Sequence, residues 1–401
     1  MEHSKKNTSF PQILIWIIAL VSGTFLGCLN IDILNGFFNF TSNIFTRLFQ
    51  FIAAPVIAIS VITALSKLSE GKNTGLIFKH TVFYTVLTTF LAALTGLILY
   101  LLFTPDKIVI DSAVQTISVP SLTYYEHLLS IVPNNLLQPL ISGNVLSVIL
   151  ISAAFGISLS FIEENENKTA LIKVIYGFQE LLFTLIKGLI KILPLGIASF
   201  AAQLASEIIN GSAIGALGKY TLIVLGGNLI QIFIILPFIL FLKGINPFIT
   251  LKKMLPALIT AFFTKSSAGT LPVTLSCSEN NLNINPQISR FVLPVCTTVN
   301  MNGCAAFILI TSLFVMNNAG FELTSGTMIL WLFISVFAAI GNAGVPMGCY
   351  FLTLSLMSSI SAPLGLLGLI LPIYTVIDMV ETMENVWSDS VVCTIVNKDL
   401  T

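Results

Sequence analysis

The sequence predicts an all-α, polytopic membrane protein, and three observations carry that reading. Of 401 residues, 55% are hydrophobic and only 9% charged, against about 25% charged in an ordinary soluble domain. The apolar residues come in nearly uncharged runs long enough for a spanning helix, which needs about 20 residues. In the second half of the chain such runs are broken at mid-membrane depth by Gly, Pro, Ser and Asn. Eighteen basic and eighteen acidic residues cancel to zero, so no charge excess is available to neutralise a nucleic-acid backbone, and nucleic acid is excluded as a partner.

Taken in order, the runs predict spans at about 10–31, 40–66, 81–105, 128–162, 174–206 and 220–242. The N-terminal run resembles a signal peptide. It lacks a small-residue cleavage site before a polar domain, so it reads as a retained first helix. Lys5 and Lys6, then Lys67, Lys72 and Lys79, then Lys243, Lys252 and Lys253 fall in alternate connections. By the positive-inside rule these segments are cytoplasmic, as are both termini, in a multi-pass protein of the inner (plasma) membrane. Thr104–His127 then falls outside. The six cysteines form no C-x-x-C pair and read as small buried hydrophobes.

After Pro247 the pattern changes. Thr264-Lys-Ser-Ser-Ala-Gly-Thr-Leu-Pro272 and Gly341-Asn-Ala-Gly-Val-Pro-Met-Gly348 should not continue a helix. The second sits inside an uncharged run from Leu323 to Ile377, longer than one crossing, so a chain that enters, breaks and leaves on the same side accounts for both features. Bare backbone at that depth is tolerated only when buried in protein or lining a watery cavity, and paired interrupted segments point to a transporter site. A third break, Val299-Asn-Met-Asn-Gly-Cys304, places two amides and freed carbonyls in mid-span. They suit a hard cation such as sodium, or a polar contact between helices.

The last span, about Pro372–Asn397, carries Asp378, Glu381, Glu384 and Asp389 with no basic residue before Lys398. At about 100° per residue, Asp378, Thr382, Asn385 and Asp389 fall near 0°, 40°, −20° and 20°, Glu381 near −60° and Glu384 near −120°. Ionisable groups within a span usually face an interior cavity. The alternative is an interfacial amphipathic helix, which would leave Met379, Val380, Met383, Val386 and Trp387 exposed. An enzyme is not expected: His3, His80 and His127 lie at the terminus or in loops, and neither H-E-x-x-H nor G-x-S-x-G occurs.

Lys265–Thr274, Asn300–Gly303, Gly344–Pro346 and Asp378–Asp389 resemble, in order and spacing, the dicarboxylate/amino acid:cation symporter family, the glutamate/aspartate transporters. The likeness extends to Pro55 and the Asn144–Gly156 region. It implies eight transmembrane helices plus two re-entrant helical hairpins at about 250–282 and 324–361, in an elevator-type homotrimer. The scaffold would comprise about 10–78 and 128–210, and the transport part about 79–105 and 215–398. It implies a substrate site of Ser266, Ser267, Gly344, Val345, Asp378, Glu381, Thr382 and Asn385. Sodium sites would use Asn300, Asn385 and Asp389, and Thr88, Thr89, Asn300 and Asn302.

Three departures from the family pattern matter. Asn302 stands where the family usually has aspartate, and an amide compensates a buried cation poorly, so the site with Thr88 and Thr89 is expected to be weak or absent. Met347 and Cys349 replace smaller residues in the second hairpin. Glu381 replaces the arginine of acidic-substrate members or the small residue of neutral-substrate members, and a carboxylate there repels a substrate carboxylate. Ionised, Glu381 would pair with a cationic side chain. Protonated, it would hydrogen-bond a neutral polar one, and protons would join sodium as coupling ions. Lys265 could instead offset either acid. The expected activity is secondary-active symport of an amino acid or related carboxylate, with a neutral or cationic side chain favoured. A dicarboxylate or acidic amino acid symporter, a channel and a transport-inactive member are the alternatives.

Overall fold

The structure is a computed structural model, and it describes residues 9–66, 74–108, 132–142, 145–208, 213–340, 342 and 347–400. All regular elements among them are helical. The first half consists of α1 (Ser9–Cys28), α2 (Asp32–Ser66), α3 (Thr74–Phe103), a short α4 (Gln138–Ser142), α5 (Val145–Phe161) and α6 (Glu166–Ile208). Helix α7 (Ala213–Ile230) continues through a π turn (Gln231–Ile235) into α8 (Leu236–Leu242). The second half is made of shorter pieces: α9 (Pro247–Thr264), α10 (Ser267–Ser276) with a π turn (Cys277–Asn281), α11 (Pro286–Val299), α12 (Asn302–Asn318), α13 (Ser325–Ile340) and α14 (Gly348–Ser359). The long α15 (Gly365–Leu400) ends the chain.

Several boundaries differ from the sequence reading. Helix α2 begins eight residues before the expected 40, because Asp32 starts a turn that the polar stretch around Asn35 and Asn39 does not interrupt. Within the fourth span, Gln138–Ser142 and Val145–Phe161 are helical, and most of 104–127 lies outside the described residues, as do Lys5, Lys6, Lys67, Lys72, Gly344 and Val345. The first hairpin breaks only at Lys265 and Ser266. Lys265 is left-handed (φ 51°), and Ser266 caps α10 by accepting the Gly269 N–H at 3.0 Å. That cap restarts the helix, and Pro272 rides within it, leaving unbonded the carbonyl of Ala268, which is exposed. His80 lies inside α3 rather than in a loop.

Two helix pairs show how the sequence sets the packing. Gly23 and Gly27 of α1 meet the backbone of Ala198 and Ala202 in α6; a Cβ at either glycine would lie within 2.7 Å of those backbone atoms. Small residues four apart let the two backbones touch, which in lipid substitutes for a hydrophobic driving force. The outer faces of α7, α8 and α13 leave Leu222, Phe233, Phe238, Phe241 and Phe337 exposed, as expected of sides turned to hydrocarbon.

Helices α12 to α14 and the first part of α15 share one apolar core with Phe45, Leu193 and Phe200 of α2 and α6. Helices α9 to α11, α8 and the last part of α15 share another around Trp387, Met254 and Val292. Helix α15 passes from one to the other, and its acidic stretch lies at the junction. At its far end, Asp399 takes hydrogen bonds from the Tyr84 hydroxyl (2.7 Å) and Lys243 (2.9 Å) and lies 3.4 Å from His80, clasping α3, α8 and α15 together. Among the described residues four helical stretches are long and apolar enough to cross a membrane: Leu76–Phe103, Gly215–Leu242, Pro286–Asn318 and Gly365–Leu400.

A buried polar site between the broken helices

The α11–α12 break leaves Asn300 and Met301 outside helical geometry (φ −94° and −113°) beside the middle of α15. Close approach is possible because residue 303 is glycine; a Cβ there would stand 2.9 Å from the Glu381 Cα. Its backbone N–H donates to Asn385 Oδ1 at 3.0 Å. Asn300 Nδ2 donates to Asp389 Oδ1 (3.0 Å) and to Ser388 Oγ (2.9 Å), and Asn302 Nδ2 donates to Ser388 Oγ at 2.7 Å. From α3, Thr88 donates to Asn300 Oδ1 at 3.1 Å and Thr89 to Asn302 Oδ1 at 2.9 Å. The expected grouping of Thr88, Thr89, Asn300, Asn302, Asn385 and Asp389 is thus met in space, and every one of these residues is buried.

One turn and more toward the start of α15, Asp378 Oδ2 accepts the Met347 backbone N–H at 3.2 Å. Met347 is left-handed (φ 63°) at the start of α14, so α14 meets the acidic face through its backbone. The Tyr374 hydroxyl spans the two acids, at 3.1 Å from Glu381 Oε2 and 3.4 Å from Asp378 Oδ1. Thr382 donates its hydroxyl to the Asp378 carbonyl rather than to the cavity. Asp378 is 3% exposed, Glu381 1% and Asp389 0%, which disposes of the interfacial amphipathic helix.

These groups surround a small polar cavity lined by Lys265, Ser267, Cys304, Asn342 and Cys349, together with Asp378, Glu381, Thr382 and Asn385. Ser267 lines it. Ser266 spends its hydroxyl on the α10 cap instead, and Gly344 and Val345 lie outside the described residues. Lys265 reaches the Thr375 carbonyl at 3.4 Å, placing one ammonium against the first turn of the acidic stretch.

The sequence reading missed four participants. Tyr374 precedes Asp378 by four residues and Glu381 by seven, a helical spacing that would have found it. Ser388, quoted in the motif without a role, joins Asn300, Asn302 and Thr88. Cys304 and Cys349, expected to be isolated hydrophobes, form a disulfide between α12 and α14, while Cys28 is exposed; only Cys277, Cys296 and Cys393 are free and buried. The pairing joins positions 45 residues apart, which no local spacing announces.

The sequence pattern that describes the Sodium:dicarboxylate symporter family matches residues 12–399, nearly the whole chain. The chain belongs to the sodium:dicarboxylate symporter family. As a family of transporters, it sets enzyme chemistry aside for this symporter. Among its relatives is a Caenorhabditis elegans protein named as sodium-dependent excitatory amino acid transporter glt-4, 25% identical over 90% of this chain and 83% of that protein. Excitatory amino acid transporter 3 of Oryctolagus cuniculus is 26% identical over 95% of the chain and 84% of its own length. Excitatory amino acid transporter 1 of Bos taurus is 32% identical over 62% of the chain, a match spanning 46% of that relative. The symporter is accordingly a multi-pass membrane protein acting on a small molecule with sodium as the coupled ion.

Proposed function

We propose that this chain is a secondary-active symporter that carries an amino acid with a neutral or cationic side chain across the plasma membrane, driven by sodium. The observation that carries the reading is the polar cavity at the middle of α15, where two acids, one ammonium, a serine and the start of α14 come together. Asp378 would take the substrate ammonium and Ser267 its carboxylate, with Thr382 and Asn385 flanking. Glu381 would meet the side chain. A substrate side-chain carboxylate placed beside Glu381 in this buried setting would be repelled by it.

The relatives' names favour an acidic amino acid instead, and Lys265 on the cavity wall gives that alternative a cation. We weigh it lower because two acids line the cavity against one ammonium. Asn300, Asn385 and Asp389 would hold one sodium ion. The Thr88, Thr89, Asn300 and Asn302 group would be a weak site, because its amide oxygens already accept from the two threonines and its amide nitrogens donate to Ser388. Protons enter the coupling if Glu381 travels protonated.

The same reading takes the fold as eight spans with hairpins at about 250–282 and 324–361, termini cytoplasmic, in a homotrimer working by an elevator motion. The scaffold would be about 10–78 and 128–210, and the moving part about 79–105 and 215–398. Purified protein in liposomes, screened for uptake and exchange of all amino acids and four-carbon diacids with sodium and proton gradients set independently, tests it. Sodium-driven, saturable exchange of a neutral or cationic amino acid is the expected outcome. Best uptake of aspartate or succinate, unaltered by Glu381→Gln, overturns the selectivity argument.

A further inference from the structure

Glu384 is the acid of α15 that the site above does not use. It is fully buried, and both of its carboxylate oxygens are without a hydrogen-bond partner. At about −120° on the helix it points between Ser388, near −80°, and Trp387, near 180°. The contacts of those two residues fix what it faces. Trp387 Nε1 donates to the Ile232 carbonyl in the π turn after α7 (3.1 Å), and Ser388 meets Thr88 of α3 and Asn302 of α12.

Helices α7–α8 and α15 run parallel, since Ile232 meets Trp387 and, eleven and twelve residues further on, Lys243 meets Asp399. In that register, Glu384 is level with residues 228 and 229 of α7. Asn228 belongs to the buried stripe Tyr220, Val224, Asn228 and Gln231, and neither its carbonyl oxygen nor its amide nitrogen has a partner. Gln231 donates Nε2 to the Thr88 carbonyl at 3.1 Å and leaves Oε1 unused. Four oxygens with no partner, and an Asn228 amide that lacks every bond it can make, thus lie level with one another on α7, its π turn and α15, which pack together. Buried polar groups are otherwise paired.

We propose that Glu384, Asn228 and Gln231 form a sodium site separate from the cavity at Asp378 and Glu381. Carboxylate and amide oxygens are hard donors suited to an alkali or alkaline-earth ion. The single carboxylate balances one positive charge, which selects a monovalent ion over a divalent one, and the site lies where a cation would tie α7 to α15. Gln231 is the first residue of the π turn Gln231–Ile235, a kind of turn that recurs at functional positions. The proposal rests on the sodium-coupled reading above, and its test reads ion binding apart from transport.

The test is thermal unfolding of the purified full-length protein without substrate, titrated with NaCl against choline chloride at constant ionic strength, since an ion bound only by the folded state raises Tm. The wild type is expected to gain Tm with sodium. Glu384→Gln should lose about half of that gain and shift its half-saturating sodium concentration upward about tenfold, and Asn228→Leu should do the same. The pair Glu384→Gln, Asp389→Asn should lose nearly all of it. Asn228→Leu and Gln231→Leu carry the test if Glu384→Gln does not fold. A full sodium-dependent gain in Glu384→Gln or in Asn228→Leu overturns the proposal. Absence of uptake in liposomes with the Glu384-dependent gain intact would instead sink the symport reading and leave this site standing.

Discussion

Two stretches of the same buried face of α15 treat their polar groups in opposite ways. Around Ser388 the groups satisfy one another: each amide of Asn300 and Asn302 both donates and accepts, and the Gly303 N–H is taken by Asn385. Glu381 Oε1, both oxygens of Glu384 and Asp389 Oδ2 are equally buried and have no hydrogen-bond partner. Burial therefore does not separate the two groups, whereas completed bonding does. The amide and hydroxyl network closes on itself and ties α3 and the α11–α12 break to α15, whereas these carboxylate oxygens are left without a bond.

Breaking the closed stretch should have the largest effect. Asn300→Leu removes the one bond to Asp389 Oδ1, leaving that carboxylate without any partner in a site closed to water. A loss of about 1–3 kcal/mol or more is expected for stranding a buried group of this kind, read as a lower Tm, together with a collapse of sodium-driven uptake. The open stretch is sharpened by Glu381→Gln, which retains an oxygen for the Tyr374 hydroxyl while discarding the charge. Competition by aspartate against a radiolabelled neutral or cationic substrate should then strengthen by about tenfold, a gain of about 1.4 kcal/mol. Fold stability should hold.

The smallest effect belongs to a charge outside the face altogether. Arg290, and after it Ser289, hold the Glu279 carboxyl below its ordinary value. A depressed carboxylate contributes stability above the unfolded value near 4.3 and loses it as pH falls through the lower folded value. Glu279→Gln should thus lower Tm slightly and equally at pH 7 and pH 5.5, with the difference vanishing toward pH 3. Exposed pairs contribute little, so this variant marks the floor against which the other two are judged.

Much of the closed stretch could be read in advance, because Asn-Met-Asn-Gly in an uncharged span is costly on any other terms, and the 100° spacing put Asp378, Asn385 and Asp389 on one face. The first hairpin was less legible. A run of Ser, Gly and Pro argued for a long break, yet one capping serine lets the helix resume two residues after it stops. Asn228 and Gln231 carried no signal at all. An amide in an apolar helix gains meaning only from what lies level with it, and that register depends on how α7 and α15 pack. Gly303 was legible as part of the break, but that it makes room for the Glu381 backbone shows only in the packing.

The clasp on Asp399 has a practical side. Three helices converge on a carboxylate two residues from the last position of the sequence, and Lys398 beside it donates to the Lys243 and Gly244 carbonyls. A truncation before Lys398 would unfasten the far ends of α3 and α8 as well as that of α15.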